Sequence, residues 1–192
     1  MYNSVLLSGV GGQGTVLASK LLSAAALKKG FRVLSAETIG MAQRGGSVVS
    51  HLKMGTGMSS PLIGLGCADL ILGFEPGETV RALPYLKKGG AVVVSTRPVV
   101  PPSASRSAAP YDAAAMVEYL KKKVERLYIV DTDRALSDLG SPRVLNVVLL
   151  GTAVRSRILD ITPDEVRAAI RAQVKPAYVE LNLRALDYTA GR

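Results

Sequence analysis

Gly9, Gly11 and Gly14 fill the three glycine places of a G-x-G-x-x-G run, and Gly12 adds a fourth. Residues 5–8 ahead of it read as a short buried strand, and Thr15 opens a helical pattern. Glycine admits a positive φ in a tight turn and removes the Cβ atoms that keep a ligand from the backbone. The helix behind the turn aims free N–H groups and the positive end of its dipole at the same point, which suits a phosphate or pyrophosphate. Two readings stand at this level: an anion cradle built from Gly9, Gly11, Gly12, Gln13, Gly14 and Thr15, or a tight strand-to-helix turn without a ligand.

A second group of candidates follows. Glu37 ends a strand read over Phe31 to Ala36, the place where dinucleotide folds set an acid against ribose hydroxyls. The chain then runs from Thr38 to Gly46 as a loop with three glycines, rather than as the helix a dehydrogenase would place there. Gln43 and Arg44 lie in that loop beside Gly45 and Gly46. An arginine between unshielded backbone N–H groups is suited to grip a phosphate or carboxylate, and equally to stand exposed on a surface loop. No catalytic nucleophile or base and no metal ligand set is assigned.

The elements that must hold these residues form an alternating pattern. Helical spacing over 15–29 ends at Lys28, Lys29 and Gly30, as a helix C-terminus should. With the strands on either side it makes a strand–helix–strand unit, expected as a parallel pair with a right-handed crossover. Alternation predicts a strand from Ser47 to Met54, and apolar runs predict strands over 69–73, 91–95 and 127–130. Glu75 and Pro76 open a helix expected to reach Leu86 and stop at Lys87-Lys88-Gly89-Gly90. Asp112 caps a helix to Lys123, whose lysine run reads as a solvated end, and Asp131 caps another.

Pro98, Pro101, Pro102 and Pro110 mark a segment with no regular structure, either a functional loop or an arm laid over a partner. The last third is helical. Ser141-Pro142 starts a helix to Arg157 that is apolar nearly all round, hence buried in the core or between subunits. Thr162 and Glu165 form a capping box, and Pro176 starts the last helix. The fold class is α/β: a Rossmann-like, mostly parallel sheet flanked by helices, with a helical C-terminal third, over one domain spanning 1–192.

Composition narrows the function. The chain has 192 residues, 48% of them hydrophobic, and a formal net charge of +9. Residues 1–68 carry one carboxylate, Glu37, against six bases, which favours an anionic ligand or an acidic partner near the glycine turn. Aromatic residues make up 5% and tryptophan is absent, so stacking platforms for nucleic acid are scarce and no nucleic-acid partner is expected. No stretch approaches the ~18 consecutive apolar residues of a membrane helix, and a cytoplasmic protein without a membrane partner is expected. A single cysteine, Cys67, precludes an internal disulfide and is read as a small packed thiol. The single histidine, His51, is read as a strand-face residue.

The runs Gly9–Gly14 and Glu37–Ser47, with its Gly-Met-Ala-Gln-Arg-Gly-Gly loop, resemble the gamma-type subunit of the 2-oxoacid:ferredoxin oxidoreductases, most of all that of the indolepyruvate enzymes. The resemblance implies a complex that oxidatively decarboxylates a 2-oxoacid, transfers the acyl group to coenzyme A and passes electrons to ferredoxin. It places thiamine diphosphate, Mg²⁺ and iron–sulfur clusters in a large partner subunit. Coenzyme A is then the ligand this chain could contact, through Gly11–Gly14 and the facing Gln43, Arg44 and Gly45. The loop docking on the large subunit instead stays open, as does a homodimer of the isolated chain. An NAD(P)-dependent dehydrogenase and a purely structural assembly subunit are the competing readings.

Overall fold

The computed structural model describes residues 2–37, 45–100 and 110–189. Six strands form one mixed sheet: β1 (Tyr2–Val10), β2 (Arg32–Glu37), β3 (Ser47–Gly55), β4 (Ala68–Gly73), β5 (Leu86–Ser95) and β6 (Arg126–Val130). Their spatial order is β2-β3-β1-β4-β5-β6. β1, β4, β5 and β6 run parallel, while β3 lies antiparallel between β1 and β2. Only β3 is reversed, so the sheet is mostly parallel, as the sequence predicts.

One connection differs from expectation. β1 and β2 do run parallel, but they are not neighbours, because β3 inserts between them over its whole length, from Tyr2↔Gly55 to Val10↔Ser47. The reason lies in the alternation of β3: every second residue is buried, so the strand has one face for the core and can zip along β1 in register.

Among the described residues seven α-helices cover the sheet. α1 (Thr15–Lys28), α4 (Thr132–Leu139), α5 (Leu145–Arg155), α6 (Pro163–Gln173) and α7 (Pro176–Asp187) pack on one face. α2 (Pro76–Ala82) and α3 (Ala113–Lys123) cover the other. Successive residues of the central strands feed opposite cores. Val5 and Leu7 face α1 and α5, while Leu6 faces the α2 side, and all three are fully buried.

The apolar helix expected to reach Arg157 opens as a 3₁₀ turn over Pro142–Val144 before α5 begins, and it is buried within this chain's own core. Gly151 lets α7 come close, since a Cβ there would sit 2.2 Å from the Leu186 carbonyl oxygen. The Thr162–Glu165 capping box forms both of its bonds, at 3.3 and 2.7 Å. No helix among the described residues is long and apolar enough to cross a membrane.

Two further expectations are corrected. Lys87-Lys88-Gly89-Gly90 does not follow a helix; α2 ends at Ala82, a 3₁₀ turn covers Leu83–Tyr85, and the lysines lie in the first residues of β5. Pro84 explains the early stop, because it has no N–H to continue the helical ladder. Cys67 is exposed rather than packed. The turn around Gly66 (φ +69°) lifts it outward, with its N–H on the Gly64 carbonyl at 3.3 Å.

Candidate functional site

Strand direction brings the carboxyl ends of β1, β4, β5 and β6 to one rim of the sheet. In open α/β sheets the ligand crevice lies outside these ends, where the connections leave in opposite directions. Here that point falls between β1, whose chain continues towards β3 and β2, and β4, whose chain continues towards β5 and β6. The glycine turn sits there.

The turn is held from three sides. The Gly11 N–H donates to the Gly46 carbonyl at 2.9 Å, which seats the end of the second glycine loop beside the first. The Gln13 side chain spans the rim: its Oε1 accepts the Val10 N–H at 2.7 Å and its Nε2 donates to the Phe74 carbonyl at 2.9 Å. Gly14, with φ +82°, is the N-cap of α1. Its carbonyl accepts the side-chain amide of Asn146 at 3.3 Å, and a Cβ at Gly14 would lie 2.8 Å from that same nitrogen. Asn146 is buried, and its Oδ1 accepts the Val147 N–H at 3.0 Å.

These ties fix the turn but leave its outer donors open. The Gly12 and Gly14 N–H groups take no partner among the described residues, and no side chain caps α1. Gly12, Gln13 and Gly14 line a cleft of about 280 Å³ whose other walls include Arg97, Leu136, Pro142 and Arg143. Arg97 reaches Asp133 at 3.4 Å in an exposed pair, which contributes little to stability and leaves the guanidinium available. Open N–H groups, a helix N-terminus and two guanidiniums are the donor types that suit a phosphate-bearing ligand.

Beside the turn, on the α2 face, lies a buried acidic network. Glu75 and Glu78 are 1% and 5% exposed. Glu75 caps α2 by accepting the Glu78 N–H at 2.9 Å, and the Tyr111 hydroxyl donates to its other oxygen. The same hydroxyl accepts the Gly77 N–H at 3.1 Å. Burial, reinforced by the Glu75 carboxylate, pushes the Tyr111 phenol well above its usual 10. Ser47 donates to Glu78 at 2.6 Å, and Arg81 pairs with its other oxygen at 3.4 Å. Each carboxylate is thus hydrogen-bonded, as burial of charge demands.

The structure brings Gly9, Gly11, Gly12, Gln13, Gly14, Thr15, Gly45 and Gly46 to this rim. Gln43 and Arg44 lie outside the described residues. Glu37 is not brought to the turn. It pairs with Ser50 on β3, and Ser50 in turn lies opposite Leu7, so Glu37 stands two strands, about 10 Å, from β1. Arg97, Arg143 and Asn146 were not among the sequence candidates. Asn146 alone carried a signal, as the only polar side chain in the apolar run from Val144 to Leu150.

Residues 4–191 match the family described as pyruvate ferredoxin/flavodoxin oxidoreductase. The chain belongs to this family. Within it, the chain is 36% identical over 191 residues to indolepyruvate oxidoreductase subunit IorB of Pyrococcus horikoshii, covering 97% of this chain and 93% of that one. A pyruvate/ketoisovalerate oxidoreductase common subunit gamma from Thermococcus kodakarensis is 29% identical, with 93% and 90% covered. The fold matches a keto/oxoacid ferredoxin oxidoreductase gamma subunit from Geobacter sulfurreducens at a TM-score of 0.68 and 23% identity, with 96% and 94% covered. It also matches 30% of a Magnetococcus marinus 2-oxoglutarate:ferredoxin oxidoreductase chain, whose structure holds 2-oxoglutarate, coenzyme A and succinyl-CoA. There the TM-score is 0.67, the identity is 16%, and 97% of this chain is covered. As a member of the family the chain is an oxidoreductase component of the small, gamma type.

Proposed function

We propose that this chain is the small subunit of an indolepyruvate-type 2-oxoacid:ferredoxin oxidoreductase, and that its glycine cleft receives the phosphates of coenzyme A. The end-to-end likeness to indolepyruvate oxidoreductase subunits, at 36% identity, carries the subunit reading. The donor set at the rim supports the ligand reading. Backbone N–H groups of Gly12 and Gly14 would bind phosphate oxygens, and Arg97 and Arg143 would close over them as paired donors. Asn146 and Gln13 orient the turn without touching the ligand.

Thiamine diphosphate and iron–sulfur clusters, in a larger partner, would supply the carbon–carbon cleavage and the electron transfer. One cysteine cannot ligate a cluster, and no set of three His, Cys, Asp or Glu residues comes together among the described residues. This chain's task is then to bind and orient the acyl acceptor and to pack against the partner. The isolated chain is expected to be inactive. A dehydrogenase reading has no support at the rim, because Glu37 stands away from the glycine turn.

Tagged purification from the native host tests the proposal. A brown eluate with a large partner, reducing a viologen dye with indolepyruvate and coenzyme A, is the expected result. In that complex Arg143→Ala should raise the apparent KM for coenzyme A roughly tenfold or more, with kcat little changed. A colourless chain that purifies alone and binds NAD overturns the subunit reading. An Arg143→Ala complex that dissociates, with an unchanged KM in whatever remains assembled, overturns the ligand reading and leaves a docking role.

A further inference from the structure

At the opposite rim, where β5 and β6 begin, a groove of about 490 Å³ runs between the 3₁₀ turn after α2 and the end of α3. Val80, Leu83, Leu86 and Val124 give it apolar walls, and Lys87, Lys88 and Lys123 overhang it. Lys87 is paired with Asp69, and just outside the groove Lys121 is paired with Glu118. Lys88, Lys122, Lys123 and Arg126 make no ion pair among the described residues. Among the described residues, Glu125 is the only carboxylate lining the groove.

The lysines at the end of α3 complement its dipole, which accounts for part of the charge. It does not account for Lys88, which arrives from a different element. Gly89 (φ +73°) and Gly90 bend the first residues of β5 so tightly that a Cβ at Gly90 would lie 2.8 Å from Leu86 and 2.9 Å from the Lys87 carbonyl oxygen. The bend sets Lys87 and Lys88 beside the apolar wall of the groove. Tyr119 is 45% exposed, with Lys123 over its ring at 5.7 Å.

We infer that this groove docks a carboxylate-rich segment of a partner protein, its acidic side chains on Lys88 and Lys123 and its apolar ones against Leu83, Leu86 and Val124. Charge complementarity selects the acid, and the apolar wall selects a polypeptide. A nucleic-acid strand would use arginine forks and free aromatic faces. Here the cations are mostly lysines, and the one half-exposed ring is already covered by Lys123. The inference rests on the subunit reading.

The test is zero-length carbodiimide cross-linking of the purified native complex, followed by peptide mass spectrometry. The expected result is amide links from Lys88 or Lys123 to Asp or Glu of the partner chain. Lys88→Glu with Lys123→Glu should weaken assembly about tenfold at low salt, with the difference shrinking as salt rises. A partner that co-purifies without a cross-link at these lysines overturns this inference alone. A chain that purifies alone defeats it together with the subunit reading. Binding of labelled single-stranded DNA that needs Lys88, without partner cross-links there, also overturns it.

Discussion

The two rims of the sheet are built on opposite principles. At the carboxyl rim the side chains that frame the glycine turn are tied within the chain: Gln13 to Val10 and Phe74, Asn146 to Gly14, Tyr111 to Glu75. At the amino rim Lys88, Lys122 and Arg126 stand exposed and without ion pairs among the described residues. A pre-ordered rim suits a small ligand that must be held in one pose, because the ordering cost is met in folding. A rim of free, flexible cations suits a macromolecular surface met through long-range attraction. The contrast teaches that the buried polar network, not the density of charge, sets apart the rim proposed to receive the ligand.

Substitutions at the ordered rim should therefore cost stability, and substitutions at the other rim should not. The largest effect is expected for Gly14→Val, which forces a β-branched residue to φ +82° and drives its Cβ into Asn146. A loss of about 3 kcal/mol in urea unfolding is expected. Asn146→Ala should cost about 1–3 kcal/mol, since it leaves buried backbone groups without partners. A normal unfolding midpoint for either variant would break the comparison.

Tyr111→Phe removes a donor to Glu75 and an acceptor of the Gly77 N–H, at a cost of about 1–2 kcal/mol. It also sharpens the comparison through pH. The folded state holds the Tyr111 proton above its usual pKa of 10, so it binds more protons than the unfolded chain at alkaline pH. Stability from this group is complete below pH 10 and falls as pH rises beyond it. Unfolding midpoints followed through pH 10 should show this decline in the parent chain and a shallower one in the Phe variant.

Lys88→Ala, at the free rim, should change stability by no more than about 0.5 kcal/mol while weakening assembly at low salt. Between the rims, His51 supplies the smallest effect. Its Nδ1 accepts the Ile63 N–H at 3.1 Å, and burial, then the charge of Lys53, lowers its pKa from the usual 6.5. The unfolded state therefore takes up the proton first. Stability from His51 is complete above pH 6.5 and drops slightly as pH falls below it, which His51→Gln should flatten.

The glycine turn, the helix caps at Asp112, Asp131 and Thr162, and the strands were legible because each is a local signal. A run of glycines, a carboxylate at an N-cap and an alternating pattern each act over a few residues, so neighbours in sequence carry all the information. The start of β5 was hidden because Lys-Lys-Gly-Gly is a sound helix terminator locally, and only pairing with β4 makes it strand. Cys67 looked like a packed thiol because cysteine usually is one, and the turn at Gly66 turned it outward.

By itself, then, the sequence determined the α/β class, the strand-to-helix glycine turn, and, through its Gln-Arg loop, the resemblance to the oxidoreductase family. Tertiary structure alone decided that β3 separates Glu37 from the turn, and that Arg97, Arg143 and Asn146 converge on Gly14 from segments 83 to 132 residues away. The physical reason is that strand order and helix docking are settled by burial of whole faces, which no short run of residues encodes.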